Sequence, residues 1–151
     1  MKRFQFPLDR VRRWRQEQAA LEEVQLQRWY AQLAALDEER TRAEDERAAS
    51  ERKVLGQASV QADELQALDA YRRHVRSRIG GIERRRGEVT AGIEKQRQLL
   101  MEARRRAELL ERLKTRMFQA WRAAADREEE TLAGELYLAK WRPRVQSAPR
   151  S

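Results

Sequence analysis

His74 is the single histidine of this chain, and there is no cysteine. A lone imidazole cannot assemble a metal centre, and no HExxH-like spacing brings carboxylates to it. Gly80-Gly81 lacks the Lys-Ser/Thr pair that a phosphate-binding loop requires. Carboxylates are plentiful, but they interleave with arginines at helical spacing, as in Asp37-Glu38-Glu39-Arg40. That pattern builds solvated faces with i,i+4 pairs rather than an acid/base pair. The residue types predict a non-enzyme without metal or cofactor.

The cations form a second group with possible chemistry. Lys2, Arg3, Arg10, Arg12, Arg13 and Arg15 cluster near the start. Arg72, Arg73, Arg76, Arg78, Arg84, Arg85 and Arg86 form a second run, and Arg104, Arg105 and Arg106 a third. With a net charge of +8, the chain favours acidic partners, whether protein, lipid or nucleic acid. Groove reading of the basic-zipper kind needs a basic helix feeding a parallel zipper. Here aromatic residues precede the first apolar seam, which argues against nucleic acid. An acidic protein surface, or simple solubility, accounts for the arginines better.

These side chains must be carried by helices. Between residues 65 and 124 apolar positions recur at alternating steps of three and four: Leu65, Leu68, Val75, Ile79, Ile82, Val89, Ile93, Leu100, Ala103, Ala107, Leu110, Met117, Trp121 and Ala124. Arg72, Arg86, Gln96 and Lys114 fall in the same register. A spacing of 3.5 held for roughly eight heptads marks a coiled coil. A first helix is predicted over about residues 8–55, with a seam of Leu8, Val11, Gln18 and Leu21. Steps of four through Gln25, Trp29 and Leu33 then predict a stutter, and Leu36, Arg40, Ala43, Arg47 and Val54 continue. That second half, mostly alanine and charge, should pair weakly.

Residues 56–62 break the pattern. Gly56 suits a left-handed C-cap, Asp63 with Gln66 has capping-box spacing, and Ser59 is a second N-cap candidate. The second helix is predicted over about 63–141. Ile79 and Ile82 keep register across Gly80-Gly81, so it should run through that soft spot. The predicted fold is all-α: one coiled-coil domain over 1–142, a long antiparallel helical hairpin with an overhanging C-terminal helix. Residues 143–151 should be a disordered basic tail.

At 1.5 Å per residue the helices measure roughly 70 Å and 115–120 Å. Folding about residue 59 leaves the last 30 or so residues of the second helix uncovered. Met117, Phe118, Trp121, Leu132, Leu136, Tyr137, Leu138 and Trp141 lie there. An apolar stripe left bare marks a partner site, unless this part folds back, frays or dimerises. Charged residues make up 38% of the chain, which suits helices with narrow apolar stripes rather than a globular core. The start lacks the apolar run of a signal peptide, and no stretch approaches a membrane span. A soluble, cytoplasmic protein is expected.

Phe4-x-Phe6-x-Leu8-x-x-Val11, followed by Arg13 and Glu17, resembles the start of the flagellar export protein FliJ family. Leu55-Gly56-Gln57-Ala58 through Glu64-Leu65-x-x-Leu68-x-x-Tyr71, and Leu109-Leu110-Glu111-Arg112-Leu113-Lys114 with Glu128-Glu129-Glu130 beyond it, resemble later parts of that family. The likeness covers about residues 2–141. Leu136-Tyr137-Leu138-Ala139-Lys140-Trp141 is more apolar than the family's pattern. The resemblance implies a stalk-like coiled coil of the type III export apparatus, peripheral to the inner membrane at the flagellar base. There it would promote assembly of the hexameric export ATPase and engage the export gate and export chaperones, with no small-molecule substrate. For the ATPase it points to Phe4, Phe6, Arg12, Arg13, Trp121 and Trp141. For gate or chaperones it points to Trp29, Tyr30, Tyr71 and His74. The stalk protein of a virulence secretion system and a plain coiled-coil scaffold are the alternatives.

Overall fold

The computed structural model describes residues 2–142. It holds two helices, α1 over Asp9–Leu55 and α2 over Ala62–Trp141, and no strand among the described residues. The chain is an all-α helical hairpin in which the two helices pack antiparallel. The tail expected over 143–151 lies outside the described residues. The described residues form two compact units, divided between Trp14 and Arg15 on α1 and between Arg105 and Arg106 on α2.

In the larger unit the α2 seam falls where its period placed it. Leu68, Val75, Ile82, Val89, Ile93, Gln96 and Leu100 are buried, with Ile82 fully enclosed. Leu65, at the start of the expected seam, is exposed. On α1 the burial differs from the apolar reading. Leu26, Leu36 and Ala43 are buried, Trp29 and Leu33 pack against the core, and Leu21 is 57% exposed. The α1 seam runs Ala19, Glu22, Leu26, Trp29, Leu33, Leu36, Arg40, Ala43, in threes and fours throughout. There is no stutter. A polar residue, Glu22, occupies the seam position that the apolar reading gave to Leu21.

Polar seam positions are satisfied across the hairpin. Buried Gln96 donates through Nε2 to the Glu22 carbonyl oxygen at 3.1 Å and to the Glu22 carboxylate. Arg72 bonds Glu51 at 2.8 Å, Arg86 bonds Asp37 at 2.8 Å, and Arg40 pairs with Glu83. All three ion pairs are centred on the junction of Gln61 and Ala62, so they fix one antiparallel register. All three are largely solvated, so each adds little to stability. Their weight is in alignment, whereas the aliphatic seam carries the burial.

The connector is tighter than expected. The Gly56 N–H donates to the Arg52 carbonyl at 3.0 Å, and no glycine has a positive φ. Gly56 is therefore not a left-handed cap. Its role is steric, because a Cβ there would lie 2.7 Å from the Arg52 carbonyl oxygen. Nor is Asp63 the N-cap, since α2 begins one residue earlier. Gln61 takes that place: its carbonyl accepts from Leu65 N–H at 3.2 Å, and its own N–H donates to Glu64 at 3.4 Å. Glu64 thus supplies the returning half of a capping box.

Gly80 and Gly81 do not interrupt α2, and Cβ atoms added at Gly80 or Gly87 would meet nothing within 4 Å. Gly80→Ala and Gly87→Ala should each stabilise the hairpin by about 0.5–1 kcal/mol, because glycine loses more backbone entropy in a helix. A rise in the urea midpoint at unchanged slope checks this.

A candidate docking site around the chain termini

The terminal unit is built on α2 from Arg106 onward. The first turns of α1 are clamped to it by charge. Asp9 accepts from Arg12 at 2.8 Å and from Arg13 at 2.9 Å, and Lys114 stands 3.8 Å from Asp9. Arg12 also donates to Glu111 at 2.7 Å. The Arg12 hydrogen bond, then that of Arg13, holds the Asp9 carboxyl below its ordinary pKa. The Arg12 guanidinium is held above its own, through Glu111 first and Asp9 second.

Before this clamp the chain is not helical. Asp9 N–H donates to the Phe6 carbonyl at 3.1 Å, closing a turn through Pro7 and Leu8. Phe4 is half-buried and Phe6 only 8% exposed, while Gln5 and Pro7 are exposed. The Phe4 ring meets Phe118 edge-on at 5.3 Å and Trp121 at 5.8 Å. Phe118 and Trp121 stack on each other at 5.8 Å, and Ala125, one turn on, is buried.

This corrects the expected overhang. Phe118 and Trp121 do have an intrachain partner, the leader of residues 2–7. The Asp9–Lys114 and Arg12–Glu111 pairs are centred between residues 61 and 62 rather than on residue 59, which brings Phe4 opposite residue 119, between Phe118 and Trp121. Leu8 and Val11, expected in the seam, are each 41% exposed, and Arg12 holds the inward position instead. Ala125, not Ala124, is the inward residue near the end of the stripe, and Met117 lies at its edge.

Beyond Ala125 the cover ends. Leu132, Leu136, Tyr137, Leu138 and Trp141 are between 54% and 71% exposed, and Tyr137 and Trp141 lie 6.2 Å apart. Seven and eleven residues after Ala125, Leu132 and Leu136 continue the face of Phe118, Trp121 and Ala125. The segment 126–141 bears five carboxylates, Asp126, Glu128, Glu129, Glu130 and Glu135, against Arg127 and Lys140. It is an acidic, apolar-striped arm.

Of the six residues the resemblance assigned to an ATPase, Phe4 and Trp121 pack within one aromatic layer and Phe6 is buried. Arg12 and Arg13 share Asp9, and Trp141 stands apart on the bare arm. The four assigned to gate or chaperones do not gather. Trp29 is half-buried against the core, with its indole over Gly92, and Tyr30 beside it is exposed. Tyr71 and exposed His74 lie roughly 30 Å away along α2, Tyr71 lining a shallow groove with Val54, Ala67 and Leu68. A second open groove, about 450 Å³, is lined by Trp29, Ala35, Leu36 and Val89, with Glu39, Arg85 and Glu88 among its charged residues.

Phe118 belongs to the apolar stripe and Gln96 to the seam register that the sequence shows, but the contact of Phe4 with Phe118, the bond of Gln96 to Glu22 and the fit of Trp29 over Gly92 are pairings between distant segments that spacing does not carry. Among the described residues no cluster of His, Cys, Asp or Glu could hold a metal ion, and no helix is long and apolar enough to cross a membrane. Comparison with protein-family models, curated proteins and solved structures gives no match.

Proposed function

We propose that this protein is a non-enzymatic adaptor of a flagellar-type protein export apparatus, acting as a stalk that binds and helps assemble a hexameric export ATPase. The observation that carries the reading is the bare arm from Leu132 to Trp141, where five large apolar side chains, all more than half exposed, crowd into ten residues beyond the last buried position, Ala125. Exposed apolar surface of this kind is retained where a partner buries it. Trp141 and the Leu132–Leu136 stripe would enter the ring, with Arg12 and Arg13 bracing the base of the unit. Phe4 covers the Phe118–Trp121 face at the base of the arm. Export gate and chaperones would meet the larger unit at two places, Trp29 with Tyr30 and Tyr71 with His74. Such contacts would hold the protein at the cytoplasmic face of the inner membrane.

The test is to mix the purified chain with the export ATPase of the same organism and follow hexamer formation and hydrolysis. Both should rise. Leu132→Ser/Leu136→Ser/Trp141→Ala should remove the stimulation at unchanged helix content by circular dichroism. Absence of both co-sedimentation and stimulation by the unsubstituted chain would sink the reading.

A further inference from the structure

The leader has the features of a reversible strap. It is attached at one end by the Asp9–Lys114 and Arg12–Glu111 pairs and by the turn through Pro7. Past that pivot, the contacts seen on α2 are those of Phe4 with Phe118 and Trp121, together with the burial of Phe6. The groove beside it, about 450 Å³ and open to solvent, is lined by Arg3, Phe4, Gln5, Phe6, Asp9 and Lys114, so the strap does not fill the space it crosses. Two aromatic anchors must hold about six residues that would otherwise be free, and ordering those residues opposes the contact.

The covered surface is half of a longer one. Phe118, Trp121 and Ala125 lie under or beside the strap, and Leu132 and Leu136 continue the same helical face bare. A ligand that docks on the bare half and extends toward Phe118 meets Phe4. Strap and ligand then exclude each other.

We propose that residues 2–7 form an intramolecular strap that opens about Pro7 and competes with an external apolar partner for the Phe118–Trp121 face of α2. Closed, it limits docking to the arm. Open, it bares one continuous stripe from Phe118 to Leu136. Burial alternates through Phe4, Gln5 and Phe6, so Gln5 is free to vary while Phe4 and Phe6 are not. The identity of the partner as an ATPase ring rests on the function proposed above; the strap itself does not.

The chain has no cysteine, so spin labels can be placed at Gln5→Cys and Gln119→Cys, both exposed positions, in the full chain. The expected distance distribution has a dominant short component and a minor long one. Phe4→Ala/Phe6→Ala should convert the short component to the long one. Phe118→Ala, made on the receiving side, should do the same without touching the leader. Binding of an apolar fluorescent dye should rise several-fold in both variants. A distribution unchanged by either variant overturns the strap, as does a loss of the short component caused only by unfolded α2, which circular dichroism reports. In a second arm, Phe4→Ala/Phe6→Ala should bind the export ATPase several-fold more tightly, and weaker binding overturns the competition. If the ATPase binds neither protein, the proposed function falls while the label distances still decide the strap.

Discussion

Leu26→Ala should destabilise the hairpin by about 2–5 kcal/mol, whereas Leu21→Ala should change stability by less than about 0.5 kcal/mol. Both are leucines on one helix, five residues apart. Leu26 is 7% exposed and belongs to the cluster of Leu36, Ile82, Val89, Ile93 and Leu100. Its truncation removes buried methyl groups and leaves a cavity between two helices whose register is fixed by ion pairs. Collapse around that cavity would require α1 to slide against Arg40–Glu83 and Glu51–Arg72. Leu21 is 57% exposed, and alanine has the better helix propensity. Urea unfolding followed at 222 nm checks the pair. Equal effects would mean that α1 lies in a different rotation about its axis.

The same two leucines show which parts of the fold were legible. The α2 seam could be read directly because most of its seam positions are apolar, and a 3.5 period survives a few polar interruptions. The break after Leu55 was equally plain, since Gly56, Ser59 and the loss of period coincide. On α1 the inward positions near the start are Arg12, Ala19 and Glu22, while Val11, Leu21 and Val24 point outward. Hydrophobicity alone therefore tracks the wrong face. Partner information resolves it: Glu22 is inward because Gln96 opposes it, and Arg12 is inward because Glu111 does. Cross-helix pairing of this kind is a property of two distant segments, which a period within one segment does not carry.

The candidate site was legible to a similar degree. The bare arm follows from counting residues in two antiparallel helices, and Leu132 to Trp141 stand as that count requires. The cover on Phe118 and Trp121 does not follow from a fold centred on residue 59; the Asp9–Lys114 and Arg12–Glu111 pairs move the centre to between residues 61 and 62, and that shift brings Phe4 opposite Phe118 and Trp121. The capping residues are a smaller case of the same problem. Asp63 is the better N-cap in isolation, but α2 starts at Ala62, so Gln61 and Glu64 share the task.

Gly92→Ala should cost about 1–3 kcal/mol, opposite in sign to the same change at Gly80 or Gly87. All three positions lie inside α2, so helix propensity alone would favour alanine at each by up to about 1 kcal/mol. At Gly92 the added Cβ would stand 2.6 Å from Cη2 of Trp29, 2.7 Å from Cζ3 and 2.9 Å from Cζ2. No pair of carbon atoms tolerates that approach. The indole is a rigid plate with two rotatable bonds, and it packs against the core, so it cannot yield by bending at its tip. It must swing outward and surrender its contacts with that core. Glycine at this position is therefore a notch cut for Trp29, and the cost of glycine in a helix is met by the burial it permits. The double-mutant cycle isolates the effect: Trp29→Ala should itself destabilise by less than the ~3–5 kcal/mol of a fully buried indole, because Trp29 is half-buried. In the Trp29→Ala background Gly92→Ala should become stabilising by up to about 1 kcal/mol, so the coupling exceeds the cost of Gly92→Ala alone and reaches about 2–4 kcal/mol. If instead Gly92→Ala is stabilising with Trp29 in place, the indole does not occupy the notch, and Trp29 is available to a partner as an exposed side chain.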